Sequence, residues 1–168
     1  MRILVTVASR HGGTREIGTA VATRLREAGH EVHEVEPEDV TSVIAYDAVV
    51  LGSAVYVGRL AAALRDLVER QHGQLRARPV WLFWSGPVGV PPMPASAPDD
   101  VATVAGRTGA RDVRCFAGRL QREELGLAER ALVAMIDAEQ GDFRDFAEVD
   151  EWAGKIAKDL AGMPRVLR

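Results

Sequence analysis

Residues Ile3 to Ala8 (ILVTVA) form an apolar run with no polar alternation, and a helical pattern follows within a few residues, with Ile17, Val21 and Leu25 spaced four apart. A strand without a polar face has to be covered on both sides, so this pair of elements already calls for helices above and below a sheet. The connection between them, Ser9-Arg10-His11-Gly12-Gly13-Thr14, is short, polar and glycine-rich. The first-turn N–H groups of a helix have no intrahelical partner, and the macrodipole makes that end positive. Strand, small loop and helix N-terminus therefore make a seat for an anion. Ser9, Thr14 and Arg10 add hydroxyls and a cation, so a phosphate-bearing cofactor is expected here.

The same alternation continues along the chain. His30 to Glu36 alternates polar and apolar residues, as a half-exposed edge strand does. Asp47 to Ser53 and Pro79 to Ser85 read as fully apolar strands, and Arg111 to Gly118 as a fifth. Between them, Leu60, Leu64, Leu67 and Val68 mark one helix face, and a further helix is expected to end near Gly109. Ser96 and Asp99 have the spacing of a capping box at its start. Beyond the fifth strand, Glu123 to Ala138 and about Glu148 to Ala161 both read as helices, where one would close the sheet. Alternation of this kind with right-handed crossovers predicts an α/β fold: one domain, 1–168, with a doubly wound five-stranded parallel sheet in the order 2-1-3-4-5 and an extra helical segment after strand five. Ligands of such sheets bind at the carboxyl ends of the strands, at the switch point. Three loops converge there: Ser9 to Gly13, Ser53 to Arg59, and the long Gly/Pro-rich Ser85 to Pro94.

Composition narrows the function. A chain of 168 residues with net charge −3 and scattered basic residues gives no reason to expect nucleic acid. The single cysteine, Cys115, excludes an internal disulfide and reads as an inert buried thiol, which fits the cytoplasm. No run approaches the roughly 20 apolar residues that span a bilayer, while peripheral membrane contact stays open. The histidines have no metal-site spacing, and no Ser-His-Asp, Cys-His or paired-carboxylate arrangement offers a separate catalytic apparatus. Trp152 and Phe146 read as packing residues of the tail, and Trp84 as core. Arg59 and Arg119 read as solvated charges that could attract a carboxylate-bearing substrate.

The anion loop has no lysine after its glycines, so it is not a P-loop, and it lacks the dinucleotide G-x-G-x-x-G. Ala8-Ser9 and Gly52-Ser53 stand where a phospho-acceptor receiver would need acids. What the loop resembles is the flavodoxin pattern [ST]-x-T-G-x-T, with His11 in place of the usual small hydroxyl residue. Within that superfamily, RHGGTREI (Arg10 to Ile17), GSAVYVGR (Gly52 to Arg59), FAGRL (Phe116 to Leu120) and GDFRDF (Gly141 to Phe146) are similar to the menaquinone-dependent protoporphyrinogen IX dehydrogenase family. The resemblance implies FMN. It places the phosphate on Ser9, Arg10, His11, Gly12, Gly13 and Thr14. It places the flavin ring against Ser53, Ala54, Val55, Tyr56, Val57 and Gly58 and against Ser85, Gly86, Pro87, Val88 and Gly89. Tyr56 is the foremost candidate for stacking. The activity implied is oxidation of the small-molecule substrate protoporphyrinogen IX with a quinone acceptor in haem biosynthesis. The alternative is a flavodoxin-like electron carrier with a protein redox partner, and a homodimer is left open.

Overall fold

The computed structural model describes residues 1–164 except 90, 91 and 93. Part of the Ser85 to Pro94 loop therefore lies outside the described residues. The chain begins β1 (Arg2–Ala8), α1 (Gly13–Glu27), β2 (Glu31–Glu34), β3 (Ala48–Tyr56), β4 (Arg59–Leu60), α2 (Ala62–Arg76), β5 (Val80–Ser85), α3 (Asp99–Thr108) and β6 (Asp112–Phe116). It closes with β7 (Arg119–Leu120), α4 (Leu127–Met135), β8 (Gly141–Asp142) and α5 (Phe146–Ala161). The five long strands pair in parallel in the order β2-β1-β3-β5-β6, which is the expected 2-1-3-4-5 once the short β4 is set aside.

Two cores flank this sheet. On one face, Ile17, Val21 and Leu25 of α1 and Val149, Trp152, Ile156 and Leu160 of α5 cover alternate residues of β1, β3 and β5. On the other, Leu64, Leu67 and Leu75 of α2 with Val101 and Val104 of α3 cover the remainder. The central strands are buried on both sides, which is why their sequences show no polar alternation. The indole N–H of Trp152 donates to Asp112 Oδ2 at 2.7 Å, fastening α5 to the outer strand. Gly52 is held to glycine by a close approach: a Cβ there would stand 2.3 Å from Cζ of Phe83, its neighbour in register on β5.

Five expectations are corrected. β3 does not stop at Ser53 but runs on to Tyr56 and turns into β4 through Val57 and Gly58, both at positive φ (50° and 71°). The Ser96–Asp99 capping box does not form. α3 starts at Asp99 behind Pro98 with no side-chain cap, and the Asp100 carboxylate instead accepts from Leu60 N at 3.0 Å. The Glu123 to Ala138 helix is broken into a 3-10 turn, Arg122–Glu124, and the shorter α4, and the antiparallel pair β7–β8 joins the two ends of this segment. Cys115 is exposed, on the edge strand β6, which has a neighbouring strand on one side only. The surrounding chain still withdraws enough water to push its thiol up to about 11. Of the two tail aromatics, Trp152 is buried, while Phe146 stays exposed, with the Arg144 guanidinium 5.1 Å over its ring.

Candidate functional site

A cleft of about 630 Å³ opens at the carboxyl ends of β1, β3 and β5. The three expected loops meet in it. Ser9, Arg10, His11, Gly13 and Thr14 line one end, Ala54 through Gly58 a second side, and Ser85, Gly86, Val88 and Gly89 a third. Gly12, Ser53 and Pro87 do not line it. Each of the three shapes the wall instead. Gly12 turns the first loop at φ 82°, and its N–H donates to Ser9 Oγ at 3.1 Å. Ser53 is buried; its hydroxyl donates to Ala54 O at 2.8 Å and accepts from Ala61 N at 2.9 Å, tying β3 to the start of α2. The Pro87 carbonyl accepts from Gly118 N at 2.7 Å.

The first intrahelical bond of α1 runs from Glu16 N to Gly12 O at 3.0 Å, so the N–H groups just before it face out of the helix end. Thr14 beside them is 7% exposed. The neighbouring loop is tied down from the second strand end, where Arg10 N donates to the Tyr56 hydroxyl at 2.6 Å. Arg10 also lays its guanidinium 4.6 Å from the centre of the Tyr56 ring, which covers one face of the best stacking candidate. Burial raises the Tyr56 phenol above its ordinary value and keeps it neutral.

A fourth wall comes from β7 and the segment between β7 and β8, where the sequence offers a substrate or membrane-surface platform and a plain packing element as equal readings of Glu123 to Ala138. Leu120, Leu125, Leu132, Val133 and Ile136 give it an apolar surface, and Arg119, Glu124 and Glu129 give it charge. The apolar spacing of Leu125, Leu132, Val133 and Ile136 was visible in the sequence, but not what it faced. Arg119 is the cation of this wall that reaches the anion loop. Its Nη2 donates to His11 O at 3.3 Å and to Glu124 at 2.9 Å, while its Nε is buried without a hydrogen-bond partner. A Cβ on Gly13 would stand 3.9 Å from that nitrogen. Arg144, 5% exposed at its side chain, donates to Gly13 O at 3.1 Å and pairs with Glu16 and Asp142. Its hydrogen bonds hold the Asp142 carboxyl down to about 2 and also lower Glu16. Arg59 stays outside the cleft and faces Asp100 at 3.8 Å.

Glu129 bridges the wall to the loop. Its carboxylate meets Arg10 Nη1 at 2.9 Å and His11 Nε2 at 3.1 Å. Burial works to raise this carboxyl, but the Gly126 N–H, Arg10 and His11 together bring it below the usual carboxylate value.

A doubly wound parallel sheet with an anion loop after β1 and a cleft at its switch point defines a mononucleotide-binding α/β protein. Residues 4–146 match the model of the flavodoxin domain family, and the chain belongs to that family. Its fold is that of a flavodoxin from the domain Archaea (TM-score 0.65, 13% identity, 96% of this chain and 99% of that one). It is likewise that of oxidised flavodoxin 1 from Bacillus cereus (TM-score 0.62, 14% identity, 94% and 98%). It also matches part of the rubredoxin oxygen:oxidoreductase of Desulfovibrio gigas (TM-score 0.67, 12% identity, 95% of this chain and 36% of that one). Among curated proteins, the protoporphyrinogen IX dehydrogenase [quinone] of Escherichia coli strain K12 is 30% identical over 84 residues, which are 47% of this chain and 45% of that protein. The match thus spans under half of the relative's length.

The cofactor of this family is FMN, and the residues present fit it. A buried arginine N–H without a partner beside the anion loop, and a helix N-terminus with small residues, suit one terminal phosphate rather than a pyrophosphate. Among the described residues, no helix is long and apolar enough to cross a membrane.

Proposed function

We propose that this chain is an FMN-dependent oxidoreductase that oxidises a reduced macrocycle with an apolar body and carboxylate side chains, protoporphyrinogen IX, in three two-electron rounds, and delivers each electron pair to a quinone, which leaves as quinol. The observation that carries this is the fourth wall. Leu120, Leu125, Leu132, Val133 and Ile136 line a cleft that also holds the expected flavin contacts, and an apolar wall of that kind suits a hydrophobic substrate and a quinone. The 30% identity to the quinone-linked dehydrogenase over 84 residues supports the same direction.

In this reading Ser9, Arg10, His11, Gly13 and Thr14 hold the FMN phosphate, with Arg119 Nε as an added donor. Ala54 to Gly58, with Ser85, Gly86, Val88 and Gly89, flank the ring. Gly12, Ser53 and Pro87 serve by shaping those loops. When bound, FMN supplies the two-electron chemistry, while the chain supplies position and environment. The open face of Tyr56 stacks, its hydroxyl remaining engaged by Arg10 N. The wall from Leu120 to Ile136 keeps water from one side of the cleft. Val57, Leu127, Met135 and Ile136 are 79%, 87%, 81% and 62% exposed around this region, which favours peripheral contact with a bilayer that carries the quinone.

Purified protein loaded with FMN should convert protoporphyrinogen IX to its fluorescent product faster with menaquinone than without it, under anaerobic conditions. A rate independent of quinone, together with rapid reduction by a flavodoxin reductase, would replace this reading with that of an electron carrier.

A further inference from the structure

α4 has no buried residue. It lies on the cleft through Leu132 and Val133, and among the described residues its polar attachment to the anion loop is a single side chain, Glu129. The two groups that Glu129 engages, Arg10 and His11, are separated from it by 119 and 118 positions in the chain. They are also the side-chain cation and imidazole of the loop assigned above to the cofactor phosphate. We propose that Glu129 is a positioning residue that latches α4 to the anion loop, and that this latch and the phosphate draw on the same two groups.

This inference rests on the seat of the phosphate given under Proposed function. Two anions sharing one arginine and one histidine repel each other, and each lowers the positive potential available to the other. The latch therefore trades phosphate affinity for a closed apolar wall. A flavin without a phosphate does not enter the competition. The distinction separates a latch from a mere packing residue, whose loss would weaken every flavin alike.

Glu129→Gln is the informative change. Glutamine retains an acceptor for Gly126 N, which now donates to Oε2 of Glu129 at 3.2 Å, so the first turn of α4 keeps its cap. It removes the charge that holds Arg10 and His11. Apoprotein is titrated with FMN and with riboflavin, and binding is followed by quenching of flavin fluorescence. FMN should bind the variant about fivefold more tightly, as expected for removing one unit charge a few ångströms from another in a solvated setting. Riboflavin affinity should stay within about twofold. In the same variant, amide exchange over 127–135 should speed up while exchange over β1, β3 and β5 is unchanged. FMN affinity that is unchanged or weaker in Glu129→Gln, or unaltered exchange in α4, overturns the latch. If the unmodified protein binds riboflavin as tightly as FMN, the phosphate seat itself fails. Those outcomes are distinguishable.

Discussion

Gly52→Ala should be among the most costly single-methyl additions this fold can receive. The new Cβ would stand 2.3 Å from Cζ and 2.5 Å from Cε1 of Phe83, whereas carbon atoms in contact keep about 3.5–4.0 Å. The Phe83 ring would have to retreat by more than about 1 Å to restore that spacing. It has little room to do so, being packed edge-on against Phe116 (centroids 5.8 Å) and Trp152 (5.9 Å). Overpacking of a filled core costs about 1–3 kcal/mol, and a pinned aromatic ring places this case near 3. For a chain of this size each kcal/mol shifts Tm by about 2–4 °C, so the midpoint should fall by roughly 6–12 °C. Thermal and urea unfolding followed by circular dichroism measure it. Phe83→Leu opens space at the same spot, so the double variant should recover at least about 1 kcal/mol relative to the sum of the singles. A Gly52→Ala variant within about 0.5 kcal/mol of the parent, or strict additivity in that cycle, would refute the packing argument.

Other outcomes follow from the site. Thr14→Glu places a carboxylate at the helix N-terminus assigned to the phosphate; FMN titration should detect no binding, and unchanged affinity would overturn the assignment. Val57 holds a β-branched side chain at φ 50°, so Val57→Asn should raise stability by about 1 kcal/mol in urea melts; a loss would mean that the turn is not strained. Arg144→Ala should cost about 2 kcal/mol at neutral pH through the lost charged hydrogen bond to Gly13 O. Asp142 titrates in the folded protein at about 2, below its ordinary 3.8, chiefly because of that arginine. A carboxyl lowered in this way stabilises the fold above its unfolded pKa and ceases to do so as pH falls through its folded pKa. The stability lost between about pH 4 and pH 2 should thus shrink in Arg144→Ala, and an acid limb of unchanged steepness would contradict the clamp.

The sheet was legible in the sequence because its strands are long and their burial is uniform. Ile3 to Ala8 and Val80 to Ser85 could not be surface segments, and the helix faces repeat at the period that covers them. Legibility ended where an element is too short to have a period. β7 and β8 are two residues each, and their pairing depends on contacts between distant parts of the chain. The turn at Val57 and Gly58 was hidden because Gly52-Ser53 looks like a strand terminus, while Ser53 is in fact buried within a strand that continues and spends its hydroxyl on Ala54 O and Ala61 N. Cys115 misled for another reason: its strand was read as apolar and buried, although the order 2-1-3-4-5 already puts that strand at the sheet edge, where one flank has no neighbour to cover it. For the site, the three loops were readable from strand ends and glycines. The fourth wall was only half readable: the pattern Leu125, Leu132, Val133, Ile136 suited a substrate platform and a packing element equally, since an apolar helix face does not say what lies opposite it.

The β7–β8 pair gives the segment it brackets an unusual independence. Arg119 pairs with Asp142 and Leu120 with Gly141, and Arg144 secures the exit strand to Gly13. The two ends are thereby fixed side by side, whatever lies between them. The entropy of closing such a loop grows only with the logarithm of its length, about 0.6 kcal/mol for each doubling. The stretch from Gln121 to Gln140 is, in that sense, an interchangeable cassette. It could be lengthened, shortened or replaced at small thermodynamic cost to the sheet, so that one doubly wound frame can carry different walls at the same cleft.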